Sequence, residues 1–416
     1  MIDIGPNSTS ADIHSAVSIW VEQHVPSQWR TAAASGGRAA IREIRTKDAY
    51  ETWYPTFAAS GLAVATWPTE YLGLDLTIAQ ARDVERVLAP YNLGRLNPLG
   101  LNNAAPALFA HGSPEQRRRF LPALVRNETR WCQLFSEPGA GSDLASLATR
   151  AQRDGEEWIL TGQKVWTTWA HTSDLAICLA RTDPGVPKRK GITYFVVDLH
   201  SPGVTIRPLR HIGGEVDFSE VFLDDVRVHD RNRIGAVGSG WQVASSTLSG
   251  ERQMVSGAGS GGVGRIGGAS AERLIVRAQQ LSRAADPHIR QRLATLYAEE
   301  RIRDWTNQRV RAAVRSGETP GPAASIGKVH QGSLNQSIQI LAVDLLGASA
   351  LAWPGDHDSW AASLPFEVSG MLRSRANTIE GGTTEINKNV IAEKVLGLPR
   401  EADPWAGVAW EQVPRS

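Results

Sequence analysis

The sequence predicts a mainly α protein with a central β-domain, and three observations predict it. Up to about residue 130, apolar residues recur at three- and four-residue intervals. Between about 131 and 235 the period drops to two, in short runs rich in Val, Ile, Thr and aromatics. From about 240 helical spacing returns. We therefore expect an N-terminal helical domain over 1–130, a β-barrel over 131–238 and a C-terminal four-helix bundle over 239–416. A chain of 416 residues has room for two or three such units.

In order along the chain, "DAYETWYPTFAASGLAVATWP" predicts helical structure up to Trp67-Pro68. "SPEQRRRFLPALVRNE" opens with Ser113 as N-cap, Pro114 at the first helical position and Gln116 closing a capping box. Pro122 predicts that this helix is short or broken. "EEWILTGQKVWTT", "DLAICLART", "GITYFVVDL", "GVTIRPLR" and "EVFLDDVRV" read as strands, with turns expected at Thr161-Gly162 and Ser201-Pro202-Gly203. "IRQRLATLYAEERIRDWTNQRVRAAVRSG" and "GSLNQSIQILAVDLLGASALAW" read as long bundle helices.

Composition narrows the function classes. Net charge is +1 with 21% charged residues, so neither nucleic acid nor an anionic membrane is an expected partner. Two cysteines, Cys132 and Cys178, argue against a disulfide scaffold and fit a reducing cytoplasm. The start lacks the pattern of a signal peptide, and no uncharged apolar run approaches the ~18 residues of a membrane span. A cytoplasmic protein is expected, and no metal ligand set is read.

"ERQMVSGAGSGGVGRIGG" carries G-x-G-x-x-G spacing at Gly257, Gly259 and Gly262. A dinucleotide loop needs a strand before it and an acid some twenty residues after it, and both are missing. The glycines permit close packing or leave room for a ligand.

Three other segments concentrate the chemistry. In "WCQLFSEPGAGSDLASLATRA", Ser136, Gly141 and Ser142 offer hydroxyls and accessible backbone. In "GQKVWTTWA", Trp166 and Thr168 share one strand face, an indole beside a hydroxyl that suits an isoalloxazine ring. "ANTIEGGTTEINKNVIAEKVLGLPR" reads as a Gly-Gly-Thr turn before a helix whose N-terminus could hold an anion or carbonyl oxygen.

Taken together and in this order, these segments resemble the acyl-CoA dehydrogenase family. "WPTEYLGLDLT" and "HGSPEQRRRFLPAL" are similar to its N-terminal segments, so the resemblance spans nearly the whole chain. It implies an FAD cofactor held between the β-domain and the bundle. Leu134, Ser136, Trp166 and Thr168 would touch the flavin ring, Gly141 and Ser142 the phosphates, and Thr383 and Glu385 the cofactor from the C-terminal turn. The implied reaction is α,β-dehydrogenation of an acyl-CoA thioester. A glutamate removes the α-proton while the β-hydride moves to flavin N5, and an electron-transferring flavoprotein usually reoxidises the flavin.

In many members the base stands immediately before Gly-Thr, where this chain has Gly381, the expected backbone N–H donor to the thioester carbonyl. Glu380 falls one place early, and one residue of offset turns a helical side chain by about a hundred degrees. Other members carry the base in a Glu-Arg pair on a bundle helix, which "LSGERQ" resembles. Glu251 is therefore the leading base with Arg252 its neighbour, and Glu380 is the alternative. The family's grips on a neighbouring subunit's FAD are altered: "ERLIVRAQQLSR" lacks Phe-Gly, and "DLLGASA" places Asp344 where Gln belongs. This implies either a heterotetramer (α2β2) with a homologous subunit, as in bacterial sterol catabolism, or a homotetramer with changed contacts. An acyl-CoA oxidase and a non-catalytic partner subunit are the competing readings. A branched or polycyclic acyl group could occupy space left by the glycines.

Overall fold

The computed structural model describes residues 2–255, 270–315, 322–352 and 364–414, with the side chains of 249–255 outside that description. The glycine cluster after Val255 lies outside the described residues.

The chain opens with α1 (Ser10–His24), α2 (Ser27–Ile44), α3 (Lys47–Ala59), α4 (Ile78–Leu88), α5 (Ala105–His111) and α6 (Pro114–Val125). Their starts are written in the sequence. Thr9 with Asp12, Thr77 with Gln80 and Ser113 with Gln116 each form a reciprocal capping box. α3 ends at Ala59, earlier than expected, because Gly61 turns the chain with φ of 85° well before Trp67-Pro68. α6 runs through Pro122 and stops three residues later, so the proline shortens the helix without breaking it. Trp20, Trp29, Tyr50, Trp53, Tyr54 and Phe57 interlock in the core of this region, with ring centres 5.3–6.1 Å apart.

Eight strands follow as one sheet: β1 (Trp131–Leu134), β2 (Arg150–Asp154), β3 (Glu157–Thr168), β4 (Leu175–Arg181), β5 (Ile192–Asp198), β6 (Val204–Leu209), β7 (Phe218–His229) and β8 (Arg233–Ile234). The order across the sheet is β6-β7-β3-β2-β4-β5-β8, with β1 added parallel to β4. β4 and β5 are continuous apolar runs because both their faces are covered. Ala176, Cys178, Phe195 and Val197 face the sheet's own core, while Ile177, Leu179, Tyr194 and Val196 pack towards the N-terminal helices. Burial pushes the Cys132 thiol up to about 12 and the Cys178 thiol up to about 11.

The expected turn at Thr161-Gly162 is instead the middle of β3. Register shifts there, between Leu160 and Gly162, and a Cβ on Gly162 would stand 2.5 Å from Thr149 Oγ1. Glycine serves close approach at a bulge, which a turn-residue reading cannot distinguish from a reversal. The turn at Ser201-Pro202-Gly203 is present, with Gly203 at φ 89°.

α7 (Gly240–Val255) enters the C-terminal domain, followed by α8 (Ala271–Gln280), α9 (Pro287–Arg315), α10 (Ala324–Leu346), α11 (Phe366–Ser374) and the short α12 (Thr384–Val390). α8, α9 and α11 pack around α10 as a helical bundle. By length and composition α10 could cross a bilayer. Its buried Lys328, Gln331, Asn335 and Gln339 instead make it the polar-laced axis of the bundle.

Candidate functional site

The β-domain contributes a patch around the start of the 135–149 loop. Leu134 ends β1 with its side chain fully buried in the sheet core, so any ligand contact it makes is through backbone. Val165 N–H donates to Ser136 O at 2.9 Å, which sets Ser136 beside the end of β3. There a second bulge, between Lys164 and Thr167, puts Trp166 at φ 58° with 60% of its surface exposed. A left-handed tryptophan costs about 1–3 kcal/mol and persists only where the surroundings enforce it. Phe218 meets the Trp166 ring edge-on at 5.9 Å and pairs with Thr168 across the sheet. Trp166 and Thr168 thus lie on the side opposite buried Thr167.

The loop itself is held by a pair the motif reading missed. Lys164, fully buried, donates to Glu137 Oε1 at 2.8 Å and to the carbonyls of Phe135 and Leu179 at 3.0 and 2.8 Å. Glu137 also accepts from Ala148 N at 2.6 Å and Thr149 N at 2.9 Å. Burial alone pushes the Glu137 carboxyl up, but the Lys164 ammonium and these hydrogen bonds outweigh it and hold the group below its usual range. Neither residue carries a local sequence signal for the pair, which joins segments 27 residues apart. Beyond this anchor, Gly141 and Ser142 are exposed, and a Cβ on Gly141 would meet nothing within 4 Å.

His211, Glu215 and Asp217 form a cluster with metal-ligand chemistry on the neighbouring β6–β7 connection. Gly213 N–H donates to His211 Nδ1 at 3.0 Å, which leaves the ring proton on Nε2. That proton faces Asp217 Oδ2 at 3.5 Å and Glu215 Oε2 at 3.7 Å. The ring presents no lone pair to an ion there and instead supports Phe218, 5.9 Å away.

From the bundle comes the Gly-Gly-Thr turn. Gly381 and Gly382 have φ of 65° and 85°, and the Thr383 side chain caps α12 by accepting from Ile386 N. Glu385 is exposed in the first turn of α12. α10 holds the approach to this turn. Lys328 Nζ donates to Asn377 O at 2.8 Å, and Asn335 Nδ2 donates to Asn377 Oδ1 at 2.6 Å. Asn377 Nδ2 in turn donates to Glu380 Oε1 at 2.8 Å. Burial pushes the Lys328 ammonium down from its usual value, opposed by the nearby Glu380 and Glu385 carboxylates. Glu380 is also paired with Arg373 at 2.9 Å.

Glu251 and Arg252 lie in α7, with side chains outside the described residues. One turn earlier on the same helical face, Thr247 is buried. It donates to Asn103 O at 3.1 Å and shares a hydrogen bond with the Tyr194 hydroxyl at 3.0 Å. That face of α7 is therefore wedged between the N-terminal helices and β5.

A flat redox ring asks for an uncovered planar surface, adjacent hydroxyls and backbone approach. The exposed Trp166 indole, Ser136, Thr168 and the open backbone at Gly141 supply these, so the residues fit a flavin.

Comparison with known proteins finds matches over most of the chain. The acyl-CoA dehydrogenase N-terminal domain matches residues 21–128, the middle domain 132–226 and the C-terminal domain 238–396. "Acyl-CoA dehydrogenase IpdE1" of Mycobacterium tuberculosis is 36% identical over 394 residues, covering 92% of this chain and 96% of that protein. Among solved structures, a "Tcur3481-Tcur3483 steroid ACAD" superposes with a TM-score of 0.72 at 26% identity, covering 94% of this chain and 98% of that one. The ChsE4-ChsE5 complex from Mycobacterium tuberculosis gives a TM-score of 0.68 at 25% identity, covering 96% and 100%.

Proposed function

The chain belongs to the acyl-CoA dehydrogenase family, and from that premise we propose that it performs FAD-dependent α,β-dehydrogenation of an acyl-CoA thioester. The exposed, left-handed Trp166 beside Ser136 and Thr168 is the observation that carries the reading. We assign 1–130, 131–238 and 239–416 as its three domains. Bound FAD would supply the two-electron acceptor for the β-hydride. Leu134 backbone, Ser136, Trp166 and Thr168 hold the ring from the β-domain, and Gly141 and Ser142 approach the phosphates. Thr383 and Glu385 contact the cofactor from the bundle.

The chain's own chemistry is proton removal. The Gly381 N–H polarises the thioester carbonyl, which makes the α-proton acidic enough for a carboxylate to take. Glu251, with Arg252 beside it, is that carboxylate. Glu380 is poorly suited, because Arg373 and Asn377 already occupy its oxygens. Glu251→Gln should abolish dehydrogenation while FAD remains bound, and Glu380→Gln should retain activity. Anaerobic bleaching of the flavin by acyl-CoA reads both. Activity that survives in the first variant and disappears in the second overturns the assignment.

The similarity to a steroid ACAD supports a bulky, steroid side-chain acyl-CoA as substrate, and the family resemblance alone suggests an electron-transferring flavoprotein as acceptor. The two-name complexes among its relatives support assembly with a homologous subunit over a homotetramer. Asp344, standing where a neighbour's cofactor would expect Gln, is engaged by Arg292 at 2.6 Å and offers no side-chain amide.

A further inference from the structure

We propose that the C-terminal segment, residues 405–413, is a strap that positions the pyrophosphate-binding loop of the site, acting through Trp410. The ligand role rests on the flavoenzyme reading, because it takes Gly141 and Ser142 as the phosphate contact. The chain leaves the bundle after the turn at Ile391–Val395 and crosses back to the β-domain. Trp410 N–H donates to Val186 O at 2.9 Å, Glu411 N–H to Pro184 O at 3.1 Å, and Pro187 and Ala409 form an antiparallel bridge. The strap thus extends the connection between β4 and β5 by backbone pairing.

Trp410 is also the most deeply buried point of the strap, 8% exposed in a segment whose other residues are partly or fully exposed. Its Nε1–H donates to Ser146 O at 3.3 Å, and its ring lies 4.2 Å from the Arg181 guanidinium carbon. Arg181 is itself buried and donates to Leu147 O at 3.0 Å, Ala145 O at 2.7 Å and Lys188 O at 3.1 Å. Lys188 closes the arrangement with a 2.8 Å ion pair to Asp143. One guanidinium therefore ties residues 145–147 to the β4–β5 connection, and one indole covers that guanidinium.

The loop that begins at Gly141 and Ser142 has only a three-residue 3₁₀ turn of its own, Leu144–Ser146. Its position is set by these outside bonds together with the Lys164–Glu137 anchor, which also holds Ala148 and Thr149. Losing the indole frees the Ser146 carbonyl and uncovers Arg181, so the loop gains conformers that a pyrophosphate must select against. The cost falls on binding and leaves proton removal untouched.

The test uses the full-length chain with Trp410→Ala and Trp410→Phe, the latter keeping an aromatic face over Arg181. Flavin-fluorescence titration gives the FAD affinity, and steady-state kinetics of the FAD-loaded protein give KM and kcat for an acyl-CoA. Hydrogen exchange of residues 141–149 reports the loop directly. Trp410→Ala should weaken FAD binding or raise the acyl-CoA KM roughly tenfold, with kcat held within about twofold. Whichever arm moves identifies the pyrophosphate, that of FAD or that of the CoA ester. Trp410→Phe should recover most of the loss, and exchange at 141–149 should quicken in the alanine variant alone. Unchanged affinity, KM and exchange in Trp410→Ala overturn the strap. Wild-type protein that binds neither ligand overturns the flavoenzyme reading and the ligand role, while faster exchange in Trp410→Ala still upholds the strap as what positions the loop.

Discussion

The 135–149 loop and the 375–383 turn are both irregular backbone bordering the candidate site, and they are held by opposite means. The first is pinned by a fully buried ammonium against a buried carboxylate, Lys164 to Glu137, with two backbone amides completing the carboxylate shell. The second is held by amides from α10, with a buried lysine on a carbonyl and a half-exposed ion pair at Glu380 and Arg373. The difference is one of redundancy. Glu137 depends on Lys164 for its countercharge, whereas Glu380 keeps Arg373 if any amide is lost.

Breaking the first anchor should therefore have the larger effect. Lys164→Met leaves Glu137 buried without its cation and should cost about 3–5 kcal/mol in denaturant unfolding. Lys328→Met removes one charged hydrogen bond but also a desolvated charge, and should cost about 1 kcal/mol. Equal losses from the two variants would dissolve the distinction.

Proton linkage sharpens it further. The folded-state Glu137 carboxyl lies below its usual 4.5, so its contribution is complete above that value and is lost as pH falls through the folded one. The folded-state Lys328 ammonium lies below its usual 10.5, so the unfolded chain binds more protons on the alkaline side. Wild-type stability relative to Lys328→Met should rise as pH climbs towards 10.5, and relative to Lys164→Met should fall in acid. Urea unfolding across pH measures both, and a flat alkaline difference would remove the burial argument for Lys328.

Much of this architecture was legible in the residues. The change of period at about 131 and again near 240 marks β1 and α7, and the Ser113 capping box opens α6 as written. What escaped was tertiary. Gly162 has turn chemistry locally, and only Thr149, thirteen residues away, reveals that it serves close approach. α3 stops at Ala59 because Gly61 turns the chain just beyond it, although the apolar spacing continues. Around the candidate site, the shared strand face of Trp166 and Thr168 could be read from the sequence. The Lys164–Glu137 pair and the Asn377 network could not, because each joins distant segments whose spacing carries no period. The side chain of Glu251 falls outside the described residues, so its proposed place as base rests on resemblance alone.

The two buried cysteines give the β-domain a chemical clock. Cys132 and Cys178 lie on adjacent strands with no exposed surface to speak of, and both thiols resist ionisation far above neutral pH. An alkylating reagent can reach them only after the sheet opens. Their labelling rate in otherwise native solution therefore counts openings of the sheet between β1 and β4, separately from anything that happens in the bundle.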